Sequence, residues 1–506
     1  NEFPLFAWLN GDLHAHMMST PFLLLVGALL FSYYRTPDAE VTRRRLLVLA
    51  TLPPLAGLLA VVNTWSFPSV GGLTLLTLYF APSDPRSLLP SAIAQRLTRP
   101  GNWGSDELLR LVTAGAFGAI VVVLGVLLSA PFWFGTASGR SIGLFPTRSA
   151  LGPLVMVHGT FLLVFVPYLL RYALPKRSNG GRVGVTLLLV VVIAILAKAP
   201  VVALFAPLVG IGWALSRLGG RGSERPAGGV SADGGRDVRP SDDGARADDG
   251  TGEQVLTGEQ STAATPAERE SESQSGTLLS EVGFESVLLV AGAGLVMLVE
   301  FAYVKEQAGP GRMNTVFKTY MQVWVLWGVA AGAALTDLLW RHRPSLALSG
   351  GRWKPALRIF AVVLIAATSI YGALALADHF TAEGPMTQTD DPTLDATLFV
   401  GTTHADEAPA IGWLDRQPGR PTIVSAPGGY RWNAPMGDGA SAAASLTGIP
   451  TVIGWHHEIG YRGEDAFERR ASDVRTIYTG PPSEQARLLT EYNVSYIYVG
   501  PAERTT

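Results

Sequence analysis

Ten apolar runs recur along these 506 residues, at roughly 16–34, 46–62, 67–81, 109–130, 151–170, 184–198, 200–216, 280–301, 316–339 and 358–377. A bilayer core takes about 20 helical residues to cross, and most of the runs reach that length. Hydrocarbon offers no hydrogen bonds, so a spanning segment must satisfy its own backbone, which a helix does. The runs therefore predict a mainly α, polytopic helical membrane bundle of about ten segments. The third run is short enough to be re-entrant. Only "KAP" separates the sixth from the seventh, which fits a broken pair or a hairpin.

Composition supports the same class. With 48% hydrophobic and 16% charged residues, the chain is too apolar for an ordinary soluble enzyme. A net charge of −2 gives no case for a nucleic-acid partner. There is no Cys, which excludes disulfides, thiolate metal sites and cysteine nucleophiles from the residues shown.

The loops set an orientation. "RTPDAEVTRRR", "PRSLLPSAIAQRLTR", "RYALPKRSNGGR" and "RHRPSLALSGGRWKPALR" all fall on one side if every run spans, and an excess of Lys and Arg marks the cytoplasmic side. The stretch 217–279 falls on that side too. It is rich in Gly, Ser, Pro and acids and lacks Lys, so it reads as a disordered acidic insertion; such inserts point to a salt-loving host. The predicted organisation is membrane helices over 1–216, the insertion over 217–279, membrane helices over 280–378 and a small extracytoplasmic α/β domain over 379–506. In that last part "PTIVSA" and "SYIYVG" read as strands and "SEQARLLTEYN" as a helix.

This orientation gathers the unusual residues on the outer face of a cell membrane. The opening "NEFPLFAWLNGDLHAH" carries Glu2, Asp12, His14 and His16. Extended backbone would point Asp12, His14 and His16 to one side, a plausible divalent-cation set or acid–base group. The alternative is a helix cap by Asp12 with both imidazoles at the interface. The chain begins at Asn1 with no signal-peptide pattern, so it reads as a piece of a longer protein.

"EFAYVKEQAGPGRMNTVFKTYMQVW" is more informative. Asn314, Lys318 and Gln322 are four residues apart and share one face of an apolar helix, with Arg312 and Glu300 close by. Ionisable groups at membrane depth usually face a cavity or the bundle interior. Two cations beside a Gly-rich turn suit a lipid phosphate. The alternative is a snorkelling Lys318 paired with Glu300. "NTWSFP" adds Asn63 and Trp65, where membrane anchoring by Trp competes with a binding role. Arg140 and Arg148 read as a wall of the same cavity. "GIPTVIGWHHEIGYRG" adds Trp455, His456, His457, Glu458 and Arg462 as an acceptor-binding loop or a polar domain–membrane contact.

Together "NEFPLFAWLNGDLHAH", "NTWSFP", "GRMNTVFKTYMQVW" and "TGIPTVIGWHHE…YRG" resemble the archaeal and Chloroflexi YYY membrane protein family, a multi-pass domain of unknown function grouped with GT-C-type glycosyltransferases. The likeness covers nearly the whole chain apart from the insertion. The family's tyrosine triplet is missing, as is the acid that GT-C enzymes generally place in their first outer loop. Both are expected upstream of Asn1.

The resemblance implies a transferase that takes a sugar from a polyprenyl-phosphate donor at the outer membrane face, for an unknown glycan or protein acceptor. Arg312, Asn314, Lys318 and Gln322 would then hold the lipid phosphate. Glu2 or Asp12 would act as base, and Glu300 would orient Lys318. Asn63, Trp65 and the loop 455–462 would line the acceptor side, and a divalent metal would fall to Asp12, His14 and His16. Two other classes remain open: a non-catalytic membrane scaffold, and a transporter or flippase for lipid-linked glycans.

Overall fold

The computed structural model describes residues 4–9, 14–36, 42–97, 103–135, 141–144, 147–173, 177–218, 283–305, 312–340, 353–381, 395, 397–426, 441–454, 458–459 and 463–504. In chain order, α1 (Pro4–Leu9) precedes α2 (Ala15–Arg35), α3 (Thr42–Val62) and α4 (Phe67–Phe80). After a short turn of 3-10 helix (Pro85–Leu88) come α5 (Ser91–Leu97), α6 (Trp103–Leu128), α7 (Ala130–Gly135), β1 (Ile142–Leu144), α8 (Leu151–Ala173), α9 (Arg177–Leu196) and α10 (Pro200–Leu218). Then follow α11 (Phe284–Leu298), β2 (Ala302–Val304), α12 (Met313–Trp340) and α13 (Trp353–Thr381). Helices α2, α3, α6, α8, α10, α12 and α13 contain stretches long and apolar enough to cross a membrane, while α4, α9 and α11 carry shorter apolar stretches. Each of the ten expected runs contains a helix. Residues 217 and 218 complete α10, and the rest of the insertion expected at 217–279 lies outside the described residues.

Contacts at both ends of the bundle show how these helices alternate. At one end the start of α2, the end of α3 and the starts of α4 and α12 meet through Ser19, Asn63, Ser69 and Gln322. At the other, the end of α4 and the start of α6 meet the end of α10 through Tyr79, Glu107 and Arg217. There too, the end of α8 meets the start of α11 through Tyr168 and Glu285, and the end of α12 through Tyr172 and Asp337. We call these the Gln322 end and the Arg110 end. The third run forms α4, about 21 Å long at 1.5 Å per residue and shorter than the helices able to cross a membrane; Ser69 and Tyr79, near its two ends, make polar contacts at the Gln322 end and the Arg110 end. The sixth and seventh runs are two separate helices joined by a turn in which Lys198 takes the left-handed conformation, φ +53.

Small residues set the closest helix approaches. A Cβ on Gly118 of α6 would lie 2.7 Å from the Gly71 carbonyl oxygen of α4, and one on Gly125 would lie 2.8 Å from Ala56 Cβ of α3. Lipid tails are as apolar as leucine, so backbone proximity and dispersion, rather than hydrophobic exclusion, hold such crossings together. The interior is aromatic. Trp327 of α12 is fully buried, ringed by Phe161, Phe165 and Phe205 at 5.5, 5.5 and 5.6 Å.

The C-terminal part is a small α/β unit. It holds α14 (Phe399–Thr403), α15 (Ala408–Asp415), β3 (Thr422–Val424), α16 (Ala442–Thr447), α17 (Glu464–Thr479), α18 (Pro482–Glu491), β4 (Val494–Ile497) and α19 (Pro501–Arg504). β3 pairs in parallel with β4, and Thr451 bridges in parallel to Ile423. Parallel neighbours need crossovers, which the intervening helices supply. β3, β4 and α18 fall where "PTIVSA", "SYIYVG" and "SEQARLLTEYN" predict them.

Candidate functional site

The Gln322 end brings several predicted residues into one hydrogen-bonded layer. Helix α2 opens at His14, whose extended backbone (φ −64, ψ 149) precedes the first turn. His16 is buried, and Ser19 Oγ donates to its carbonyl at 2.9 Å. Across from it, the chain turns sharply between α3 and α4, with the Ser66 N–H on the Asn63 carbonyl at 2.8 Å and Pro68 in the first turn of α4. The Asn63 amide donates to Ser19 Oγ at 3.0 Å and Ser66 Oγ at 2.9 Å. Helix α12 closes the layer: Ser69 Oγ donates to Gln322 Oε1 at 2.6 Å, and Gln322 Nε2 to the Trp65 carbonyl at 3.1 Å.

Lys318, one turn before Gln322, places its ammonium 5.8 Å from the ring centres of both Trp65 and Phe317. That is within cation–π range. Phe317 also meets the His16 ring edge-on at 5.0 Å, and His16 lies 5.1 Å from His14. The predicted four-residue stripe thus grades in burial, from partly buried Asn314 and Lys318 to fully buried Gln322.

A second cluster lies at the same end. Glu300, buried just beyond α11, accepts from Ser149 N at 3.0 Å, Ser149 Oγ at 2.8 Å and Arg312 Nη1 at 2.8 Å. Arg312 also donates to the Val299 carbonyl and, at 3.0 Å, to Ser149 Oγ. Sequence reasoning paired Glu300 with Lys318 and gave Arg312 to a phosphate. The carboxylate is instead held by Ser149, just before α8, and Arg312, just before α12, which reach it from two different segments. Arg148, expected as a cavity wall, caps the α9–α10 turn through the Ala197 carbonyl at 2.5 Å.

Several predicted residues lie outside the described residues: Glu2, Asp12, Arg140, Trp455, His456, His457 and Arg462. Glu458 is described, and its Oε1 accepts the Gly454 N–H at 2.8 Å. Among the described residues no three His, Asp or Glu side chains gather as a metal site.

Sequence reasoning missed the serines. Ser19, Ser66, Ser69 and Ser149 bind the named residues together, but a lone serine in an apolar run carries no periodic signal. It also missed the Arg110 end. There Arg110 caps the C-terminus of α4 through the carbonyls of Tyr79 at 2.8 Å, Ala81, and Ser83 at 3.0 Å. Glu107 accepts from Arg217 at 2.7 Å and Tyr79 Oη at 3.1 Å. Asp84 accepts from Arg86, which also reaches Asp106 at 2.7 Å. Burial works against the charged form of Asp84, but the Arg86 side chain and backbone N–H hold its carboxyl below the usual range. The visible signal was "SDELLRL", with charges at the start of an apolar run.

His158 went unremarked as well. It is wholly buried within α8, and neither ring nitrogen has a hydrogen-bond partner among the described residues. Tyr320, Trp327 and Phe205 surround it at 4.7, 5.4 and 5.6 Å.

Apolar helices running alternately between two polar ends, with a small α/β unit following, define a multi-pass helical membrane protein. The chain belongs to the family described as uncharacterized membrane protein (DUF2298), which matches residues 1–327. No curated protein and no solved structure matches it.

Proposed function

We propose that the Gln322 end is the site of a GT-C-like membrane glycosyltransferase that uses a polyprenyl-phosphate-linked sugar at the outer face of the membrane. The observation that carries this reading is the stripe Asn314–Lys318–Gln322, which runs from partial exposure into the buried Ser69 and Trp65 contacts with its one ammonium over two aromatic faces. A cation at that depth suits an anionic lipid headgroup. Lys318 would meet the phosphate, with Asn314 and Gln322 as hydrogen-bonding neighbours. Arg312 is already paired with Glu300, so we assign that pair to positioning: it fixes the turn after α11 against Ser149.

In the transfer, the acceptor hydroxyl oxygen bonds to the anomeric carbon while the carbon–oxygen bond to phosphate breaks. The acceptor's proton passes to a carboxylate, for which Glu2 and Asp12 stand as candidates, and the carrier leaves as a polyprenyl phosphate opposite Lys318. His14 and His16 supply two donors for a divalent cation and the third would be Asp12, so no step is assigned to a metal.

A second reading, a non-catalytic scaffold, is favoured by one observation. Ser69, Gln322 and Trp65 satisfy one another and tie α4 to α12, as a purely structural lock would. The two separate in a titration of purified protein with a labelled polyprenyl-phosphate sugar. A charged contact in a dry site is worth about 1.5–3 kcal/mol. Lys318→Met should therefore weaken binding roughly tenfold to a hundredfold, at unchanged thermal stability. No saturable binding by the parent protein, or equal affinity in the variant, removes the transferase reading and leaves the scaffold.

A further inference from the structure

We propose that the β1–β2 ribbon is an interfacial membrane element, seated with Ile142 and Leu144 among the lipid acyl chains beside the Gln322 end. β1 and β2 pair antiparallel, Gly143 opposite Tyr303, and side chains alternate across a strand. Gly143 faces the partner strand's ring: a Cβ there would sit 2.4 Å from Tyr303. Ile142 and Leu144 therefore share the opposite face, and they are 68% and 65% exposed.

Exposed apolar residues of neighbouring helices flank the ribbon in the chain: Leu127 and Leu128 at the end of α6 and Phe134 of α7 before it, Leu151 and Met156 of α8 after it. Water would leave this whole series solvated at a cost, whereas acyl chains extend the environment that α6 and α8 already require.

The ribbon is fixed at the level of the helix ends. The Lys305 N–H donates to the Ser141 carbonyl at 2.9 Å and the Val304 N–H to Thr315 Oγ1 at 3.1 Å. Ser149, five residues past Leu144, is bonded to Glu300. Depth is bounded from the other side by the backbone. A two-stranded ribbon has open edges, which the hydrocarbon core cannot satisfy. The placement that meets both demands is the boundary, with side chains in the acyl region and strand edges among hydrated headgroups, as interfacial elements lie. This inference is independent of the transferase reading.

The chain has no Cys, so single cysteines carry a nitroxide label without background. Ile142→Cys and Leu144→Cys would be compared with Leu189→Cys on the exposed apolar face of α9 and Ser483→Cys on exposed α18, all reconstituted in phosphatidylcholine–phosphatidylglycerol vesicles. Labels at Ile142 and Leu144 should collide with oxygen more than with a water-soluble nickel chelate, as the Leu189 label does, and report a shallower depth than it. Nickel-dominated relaxation like that at Ser483 overturns the proposal. Protection from both reagents overturns it too, in favour of a protein partner on this face.

Discussion

The Arg312 guanidinium lies 2.8 Å from the Glu300 carboxylate, with side chains 12% and 4% exposed. They stand twelve positions apart in the chain, and both bond to Ser149. Removing one member of a buried pair strands the other charge, at about 3–5 kcal/mol, while removing both does not add the two costs. Glu300→Gln and Arg312→Met should each lower the unfolding temperature in detergent markedly, and the double variant should lose far less than their sum. Additive losses would show that the two charges do not compensate each other.

The alternation of helices makes a topological prediction. Thr64 is exposed at the Gln322 end and Ser87 at the Arg110 end. If the Lys- and Arg-rich loops are cytoplasmic, Thr64→Cys should react with an impermeant thiol reagent in intact cells and Ser87→Cys only after permeabilisation. The reverse pattern would place the Gln322 end in the cytoplasm and remove the reading of an outer-face site.

The ten helices were legible because hydrocarbon enforces one solution on any long apolar run. Asn314, Lys318 and Gln322 were legible because helical periodicity stacks residues four apart. What escaped was chosen by tertiary contact. Nothing local in "PTRSALG" marks Ser149 as the partner of Glu300, 151 positions further on. Likewise Arg312 and Lys318 look equivalent in the sequence, and only the fold gives one to a carboxylate and the other to two aromatic rings. The third run is short, and its length gives no hint that Ser69 and Tyr79, near its two ends, each find partners on other helices.

Asp84 gives a pH dependence. It caps the 3-10 turn by accepting from the Arg86 N–H at 2.9 Å and also binds the Arg86 side chain. Its carboxyl titrates below the ordinary value of 3.8 in the folded protein. A carboxyl lowered in this way stabilises the fold above its unfolded pKa, and the contribution fades as the pH falls through the folded value. Asp84→Ala should cost about 0.5–2 kcal/mol at neutral pH through the lost cap. The difference between variant and parent, followed by thermal unfolding in detergent, should shrink below about pH 4, where unfolded aspartate begins to protonate. A constant difference down to the lowest accessible pH would remove the electrostatic account.

The sharpest packing prediction concerns Gly292 and Trp327. A Cβ on Gly292 of α11 would lie 2.1 Å from the indole nitrogen of Trp327, which donates to the Leu289 carbonyl at 3.1 Å. The indole cannot step aside, because Phe161, Phe165, Phe205 and His158 already surround it. Adding one methyl must therefore push α11 from α12 or break the indole hydrogen bond. Overpacking a full core costs about 1–3 kcal/mol, and a lost hydrogen bond about 1 kcal/mol more. Gly292→Ala should unfold at a clearly lower temperature in detergent. Trp327→Phe, introduced into Gly292→Ala, should recover part of the loss, because the smaller ring vacates the space that the new methyl needs. An alanine variant as stable as the parent would show that the two helices yield at that crossing without cost, and that the indole contact does not set their separation.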